Sequence, residues 1–346
     1  GMTSAPEKIL VIGPSWVGDM VMSQVLYIYL RQSRPGCLID VLAPAWSAPV
    51  LQRMPEVNRA IPMPLGHGQL GMNVRWRLGR DLRREAYDQA IVLPNSLKSA
   101  LVPLFAGAAR RTGWRGEMRY GLLNDMRRLD KTALPLMAQR FLALGQDAGE
   151  LLPAALPQPA LRVDESAARA SASEFDLAAD RPILALCPGS EFGGAKRWPA
   201  RHYAEIAGAY LARGWQVALY GSASDRDVCG QILDYTGQHR HCRNLAGRTS
   251  LAQVVDLLSL SRAIVTNDSG LMHIGAALAR PLLALYGATS PEFTPPLSPA
   301  ADLLVSDLDC APCFQRECPL GHHRCLRDIT PAQATARLTA LLDGSA

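Results

Sequence analysis

The segment Ile9-Leu10-Val11-Ile12-Gly13-Pro14-Ser15-Trp16-Val17-Gly18-Asp19 begins with an apolar, strand-like run and continues into a glycine-rich turn. A helix-like run follows the turn. The same order recurs in Ala263-Ile264-Val265-Thr266-Asn267-Asp268-Ser269-Gly270-Leu271-Met272-His273. In open parallel sheets, ligands bind where strands end and where helix N-termini point free N–H groups outward. The two junctions therefore predict two lobes that face one cleft.

The alternation of strand-like and helix-like segments continues along the chain. Further apolar runs that predict strands lie at Leu38–Leu42, Ala90–Leu93, Ile183–Cys187, Gln216–Tyr220 and Pro281–Leu285. A linker is expected within 153–182, with a helix of its own over Glu165–Phe175. Strands that alternate with helices indicate parallel sheets. The sequence thus predicts an α/β fold of two Rossmann-like parallel-sheet lobes, with domains at 1–165 and 166–346.

Length and composition exclude several classes of protein. A chain of 346 residues, 48% apolar and 19% charged, exceeds one hydrophobic core and is expected to form two domains. Its apolar runs fall short of the roughly 18 to 20 residues that span a bilayer, and its start lacks a signal-peptide pattern, which favours a cytoplasmic protein. The G-x-G-x-x-G fingerprint is absent, which argues against a nicotinamide enzyme.

The positive charge lies in the first half. Residues 1–165 contain 20 basic and 14 acidic residues, against 16 and 17 in the remainder. Arginines cluster at 75–84 and 110–131, and such clusters bind phosphates or anionic membranes, or form solvated faces paired with nearby carboxylates. Aromatic residues make up only 6% of the chain and do not interleave with the arginines, so no nucleic acid partner is expected.

The spacing Gly13-x4-Gly18 resembles a phosphate-binding loop, but Asp19 and Met20 stand where such a loop has lysine and a hydroxyl residue. A carboxylate there would repel a triphosphate, which excludes a nucleotide triphosphatase. At a helix start the ionised form of Asp19 is stabilised by the helix dipole and N–H groups. Asp19 could accept a proton from a sugar hydroxyl, or it could simply cap the following helix.

The second half of the chain also has turns that follow predicted strands and carry polar residues. Gly189 and Ser190 follow a strand, and the loop after them leads to Lys196, which could neutralise a leaving diphosphate or could be an ordinary solvent-exposed lysine. A helix that opens at Gly270 offers free N–H groups to a diphosphate. Asp268 suits sugar hydroxyls, while His273 could donate to a phosphate or pack in the core.

These motifs resemble those of the ADP-heptose:lipopolysaccharide heptosyltransferases. The resemblance is seen in Gly18-Asp19, Pro188-Gly189, Lys196-Arg197-Trp198-Pro199, Asn267–His273, Leu93-Pro94-Asn95-Ser96 and Thr112–Gly121. It extends over nearly the whole chain and is closest to the members that transfer a heptose onto the first heptose of the inner core. It implies a GT-B type fold and an inverting reaction that requires no cofactor or catalytic metal.

The resemblance also implies residue roles. Asp19 would be the catalytic base, and Lys196 would stabilise the departing ADP. Domain 1–165 would bind the acceptor and 166–346 the ADP-heptose donor, with the last helix a candidate to pack back on the first lobe. The donor-binding residues would be Gly189, Ser190, Lys196, Asp268, Ser269, Gly270 and His273. The acceptor-binding residues would be Gly18, Asn95, Arg115 and Arg119.

The implied partners are ADP-heptose and heptosyl-Kdo2-lipid A, which places the enzyme in the cytoplasm or peripherally at the inner face of the inner membrane. Two alternatives remain open at this point. One is the transfer of the first heptose, or a related nucleotide-sugar transfer onto another acceptor. The other is a metal-binding scaffold protein without catalytic activity.

Four of the eight cysteines lie close together near the end of the chain, at Cys310, Cys313, Cys318 and Cys325. Since disulfides are rare in the cytoplasm, a structural zinc is one interpretation of the cluster. The spacing C-x2-C-x4-C-x6-C lacks the second C-x2-C of common zinc sites, so reduced thiols without metal are the other.

Overall fold

The computed structural model describes residues 5–66, 68–190, 197–287, 291–306 and 324–344. The chain divides into two compact units, 1–159 and 160–346. In the described residues, each unit contains one six-stranded sheet whose strand pairs are all parallel. The prediction of an α/β protein with two Rossmann-like parallel sheets is confirmed.

The first unit has the sheet order β3-β2-β1-β4-β5-β6. Its strands are β1 Lys8–Ile12, β2 Leu38–Pro44, β3 Val57–Met63, β4 Gln89–Val92, β5 Arg110–Trp114 and β6 Asp125–Arg127. Its helices are α1 Val17–Met22, α2 Gln24–Ser33, α3 Ala48–Leu51, α4 Met72–Leu82, α5 Leu101–Phe105 and α6 Met137–Ala143. The order reverses between β1 and β4, and in open α/β sheets ligands bind beside such a reversal.

The second unit repeats this pattern with the order β12-β11-β10-β7-β8-β9. Its strands are β7 Ile183–Cys187, β8 Gln216–Leu219, β9 Cys242–Asn244, β10 Ala263–Asn267, β11 Leu282–Tyr286 and β12 Ala301–Val305. Its helices are α7 Glu165–Glu174, α8 Ala200–Ala212, α9 Arg226–Tyr235, α10 Leu251–Ser259, α11 Gly270–Ala277, α12 Arg324–Arg327 and α13 Pro331–Gly344. The reversal here lies between β10 and β7.

The strands that the apolar pattern predicted are those that the structure buries. All residues of β4, β7, β8, β10 and β11 are buried, as are four of the five in β1. Strands covered on both faces by helices read as continuous apolar runs. By contrast, only one of the seven residues of β3 is buried, and β5 begins with Arg110 and Arg111, so neither gives an apolar run.

The last helix packs inside the second unit. Ala334 and Leu338 of α13 are fully buried in the core that also contains Tyr203 and Ile206 of α8. The division between the units precedes α7, so this predicted helix belongs to the second unit. Among the described residues, no helix combines the length and apolar character needed to cross a membrane.

Candidate active site

Three site segments of the first unit leave its sheet at the same edge. Ile12 pairs with Val92, and Val92 pairs with Gly113, so β1, β4 and β5 end side by side. Gly18 and Asp19 follow β1, Asn95 follows β4, and Arg115 follows β5. The structure therefore places these sequence-predicted residues at the carboxyl edge of one parallel sheet.

Asp19 is the third residue of α1. At the start of the turn before it, the Gly13 N–H donates to the Leu42 carbonyl at 2.8 Å, which continues the pairing of β1 with β2. Trp16, not Asp19, occupies the N-cap position and makes no side-chain cap bond. The Asp19 carboxylate has no hydrogen-bond partner in the described part of the chain, and burial raises its pKa to about 6. A carboxyl group with such a pKa is suited to accept a proton near neutral pH.

α1 is short because Ser23 separates it from α2. The Ser23 hydroxyl donates to the Met20 carbonyl at 2.6 Å, and its oxygen lies 3.0 Å from the Tyr27 hydroxyl, from which it can accept. Serine side chains that bond locally to backbone carbonyls compete with a continuous helix. The helical segment that follows the turn is thus divided into two helices, and α1 is the short one that carries Asp19.

The predicted acceptor residues differ in exposure. Asn95 and Arg115 are exposed, and the Arg115 guanidinium lies 5.8 Å from the Tyr120 ring centre. Arg119 is fully buried, and it donates to the Pro94 carbonyl at 2.8 Å and to the Trp114 carbonyl. Its side chain links the segments after β4 and β5, which gives it a positioning role in this structure.

The donor residues of the second unit also meet at one sheet edge. Cys187 pairs with Thr266, so the segments after β7 and β10 leave the sheet together. Ser190 is buried after β7, and Gly189 has no room for a side chain, because a Cβ there would lie 2.3 Å from the Asp225 carboxyl carbon. Lys196 lies outside the described residues.

The turn after β10 opens α11 with Ser269 at its N-cap and Gly270 as its first residue. Asp268 and His273 are both buried. Burial and, to a smaller extent, the charge of Asp268 raise the pKa of Tyr286 far above its ordinary value, so Asp268 lies near the end of β11. A buried carboxylate beside free helix N–H groups can accept from sugar hydroxyls while the N–H groups bind phosphate.

Asn267 holds this edge together, a role that the sequence reasoning did not assign. Its Oδ1 accepts from the Trp198 N–H at 3.1 Å and from the Tyr203 hydroxyl at 2.7 Å. Its Nδ2 donates to the Pro188 carbonyl at 2.7 Å. The sequence feature that could have indicated this role is an amide side chain at the end of an apolar strand, since a buried amide requires hydrogen-bond partners.

Cys310, Cys313 and Cys318 lie outside the described residues, as does the side chain of Cys325. Within the part of the chain that is described, no group of three or more histidine, cysteine or acidic side chains could hold a metal ion. The zinc prediction therefore stays a prediction.

Comparisons with known proteins agree with this geometry. Residues 75–324 match the model of glycosyltransferase family 9 (heptosyltransferase). Lipopolysaccharide heptosyltransferase 2 of Escherichia coli is 54% identical over 97% of this chain and 98% of that protein. Lipopolysaccharide heptosyltransferase 1 of Pseudomonas aeruginosa is 29% identical over 94% of this chain and 92% of that protein. The structure of E. coli ADP-heptose lps heptosyltransferase II superposes with a TM-score of 0.88, at 53% identity over 98% of this chain and 99% of that chain.

Proposed function

Because the chain belongs to glycosyltransferase family 9, the heptosyltransferases, we propose that it moves L-glycero-D-manno-heptose from ADP-heptose onto the first heptose of the lipopolysaccharide inner core. The observation that carries this assignment is the near full-length similarity to proteins named heptosyltransferase 2, against a much lower identity to a heptosyltransferase 1. The same similarity argues against a scaffold protein without activity.

In the proposed reaction Asp19 is the general base. The acceptor hydroxyl oxygen attacks the anomeric carbon of the donor while its proton passes to the Asp19 carboxylate. The bond from the anomeric carbon to the phosphate oxygen breaks, ADP leaves with the electron pair, and the configuration at the anomeric carbon inverts. A raised pKa makes Asp19 a stronger base than an ordinary aspartate, and it is still largely ionised at pH 7.

In the second unit, the proposed donor site uses the edge that Asn267 organises. The N-terminus of α11 and Ser190 supply hydrogen-bond donors for the diphosphate, and Asp268 accepts from heptose hydroxyls. Lys196 supplies the positive charge that offsets the charge growing on ADP as the bond breaks. His273 is a buried residue of α11, and in this proposal it donates a hydrogen bond to a phosphate oxygen.

In the first unit, Gly18, Asn95 and Arg115 are proposed to bind the acceptor, heptosyl-Kdo2-lipid A. Arg115 is exposed at the same sheet edge as Asp19 and is suited to the carboxylates and phosphates of this glycolipid. Since the acceptor is anchored in a bilayer, the proposed location is peripheral, at the inner face of the inner membrane. Arg119 acts on this site through the segments that it positions.

The deciding experiment measures ADP release with ADP-heptose and either heptosyl-Kdo2-lipid A or Kdo2-lipid A. We expect release with the heptosylated acceptor alone. Release with Kdo2-lipid A alone would assign the transfer of the first heptose instead, and release with neither would overturn the proposal. Lys196→Ala is expected to lower turnover by about 100-fold or more, because one preorganised charge on the leaving group is lost.

A structural zinc at Cys310, Cys313, Cys318 and Cys325 is a separate proposal. Elemental analysis of protein purified without chelator is expected to find about one zinc per chain if the four thiolates bind it. A metal-free protein with four titratable thiols in that segment would instead support reduced, unliganded cysteines.

A further inference from the structure

The exposed apolar side chains of the first unit are concentrated at one edge of its sheet. Among the described residues of this unit, nine large apolar side chains are well exposed, and eight lie in the segments that follow β1 to β5. Three are tryptophans, namely Trp16 after β1, Trp46 after β2 and Trp76 after β3. Exposed apolar surface concentrated in this way marks an interaction site.

The best-defined part of this surface is the outer face of α4 together with Leu70, which lies two residues before the helix. Leu70, Met72 and Trp76 are 52%, 46% and 45% exposed. Arg77 and Arg80 are exposed on the same helix, and the Arg80 guanidinium lies 5.2 Å from the Trp76 ring centre. We call these five residues the α4 patch.

The α4 patch is held rigidly from behind. A Cβ on Gly79 would lie 2.4 Å from the Phe105 Cβ, so α4 packs directly against the end of α5. Arg75 is buried under the helix and donates to the carbonyls of Gln69 at 3.0 Å and Leu70 at 2.6 Å. These bonds fix the backbone of the segment before the helix, in which the exposed Leu70 lies.

We propose that the α4 patch docks the enzyme on an anionic phospholipid bilayer, an inference that rests on the proposed use of a lipid-anchored acceptor. The patch has the composition of a membrane-interface element, in which tryptophan and aliphatic side chains enter the headgroup region and arginines contact lipid phosphates. Its charge is complementary to such a surface, since Arg77, Arg80 and Arg84 are exposed on this segment beside a single exposed carboxylate, Asp81.

The docking places the catalytic edge toward the lipid. Segments after β1, β4 and β5, which carry Asp19, Asn95 and Arg115, leave the sheet at the edge from which α4 begins. Contact through α4 therefore brings this edge to the level of the headgroups, where the sugar part of a glycolipid lies.

The direct test is binding to vesicles that contain no glycolipid. Vesicles of phosphatidylethanolamine and phosphatidylglycerol are expected to bind the protein, and phosphatidylcholine vesicles are expected to bind it much more weakly. Trp76→Ala should weaken binding about tenfold, because the variant lacks the indole whose apolar surface is removed from water on binding. Arg80→Gln should weaken it about fivefold, as expected for one basic group near an anionic membrane.

Tyr235→Ala is the matched control. Tyr235 is 55% exposed and lies under the Arg201 guanidinium at 5.6 Å, so it repeats the arrangement of Trp76 and Arg80 on the second unit. Its loss should leave vesicle binding unchanged. Equal binding by Trp76→Ala and Tyr235→Ala, or no binding of the unchanged protein to anionic vesicles, would overturn the proposal.

Turnover separates bilayer docking from direct contact with the acceptor. On an acceptor freed of its acyl chains, Trp76→Ala and Arg80→Gln should retain turnover within about twofold, while on acceptor in vesicles they should lose activity in proportion to binding. An equal loss on both acceptors would make the patch part of the acceptor site and refute docking. Vesicle binding is measured without any reaction, so a failure of the proposed transferase activity would appear separately.

Discussion

Replacing Asp19 by asparagine should lower activity and raise stability at the same time. Asparagine has the shape of the neutral acid but cannot take up a proton, so turnover is expected to fall by about 100- to 10,000-fold, the usual contribution of a general base. The unchanged protein should gain activity as the pH rises through about 6, since the base must be ionised.

The stability gain follows from the pKa. A rise from 3.8 to about 6 through burial corresponds to at most about 3 kcal/mol. A carboxyl group whose folded pKa lies above its unfolded pKa holds more protons in the folded state, so folding stability falls as pH rises between these values. Asp19→Asn should therefore match the unchanged protein near pH 4 and exceed it above about pH 7.

The assay is urea unfolding at a series of pH values, beside ADP release at saturating substrates. Asp81→Asn is the matched control, because Asp81 is exposed on α4 of the same unit; it should change neither quantity. Turnover of Asp19→Asn within about tenfold of the unchanged protein would refute the role of base. A stability difference that does not grow between about pH 4 and 7 would refute the burial argument.

Three further substitutions test the framework of the site. Asn267→Ala should cost about 3 kcal/mol of stability and weaken ADP binding, because three buried groups lose their partner; urea unfolding and calorimetry measure both. Gly189→Ala should cost about 1 to 3 kcal/mol through overlap with the Asp225 carboxylate, and Asp225→Ala in the same chain should recover part of this loss in a double-mutant cycle. Arg119→Met should cost about 3 kcal/mol by leaving buried carbonyls unpaired, and it should raise the KM for the acceptor more than that for the donor.

The features predicted best from the sequence were the two parallel sheets, because buried strands and the turns after them leave a clear pattern. The continuous apolar runs of β1 and β10, each followed by a helix, were sufficient to predict two parallel sheets, because only strands covered on both faces are apolar throughout. Strands such as β5 escaped prediction because their first residues are arginines, which interrupt the apolar pattern. One of them, Arg110, forms an ion pair with Asp125 of the neighbouring strand at 2.9 Å.

The site was predicted less completely than the fold. Spacing alone left Asp19 as base or cap, and the structure removes the cap interpretation, since Trp16 holds that position. The role of Asn267 depends on Tyr203 and Pro188, which lie 64 and 79 residues away in sequence. Local patterns do not reveal which distant groups meet a buried amide, so this residue could be named within a motif but not given a function.

The sequence also could not tell which arginines of the two clusters are paired with carboxylates and which are not. Arg127 pairs with Asp125 at 3.0 Å, as expected for a cluster neutralised by nearby carboxylates. Arg75 and Arg119 are different, because these buried guanidiniums donate to backbone carbonyls and have no salt bridge in the described part of the chain. They hold the segment after β4 from both ends, through the Lys98 carbonyl at 3.2 Å and the Pro94 carbonyl at 2.8 Å.

A carbonyl satisfies the hydrogen bonds of a guanidinium without cancelling its charge. The edge of the sheet that contains Asn95 and Arg115 therefore lies beside two buried positive charges, of which that of Arg119 is partly offset by Glu117, and salt screens such charges less than it screens exposed side chains. These charges would attract the anionic acceptor that we propose without direct contact. On this argument, the KM for the acceptor should rise less steeply with ionic strength in the Arg115→Gln variant than in the unchanged protein, since the buried charges of Arg75 and Arg119 that remain are screened less. A salt-independent KM in that variant would show that Arg115 alone supplies the attraction.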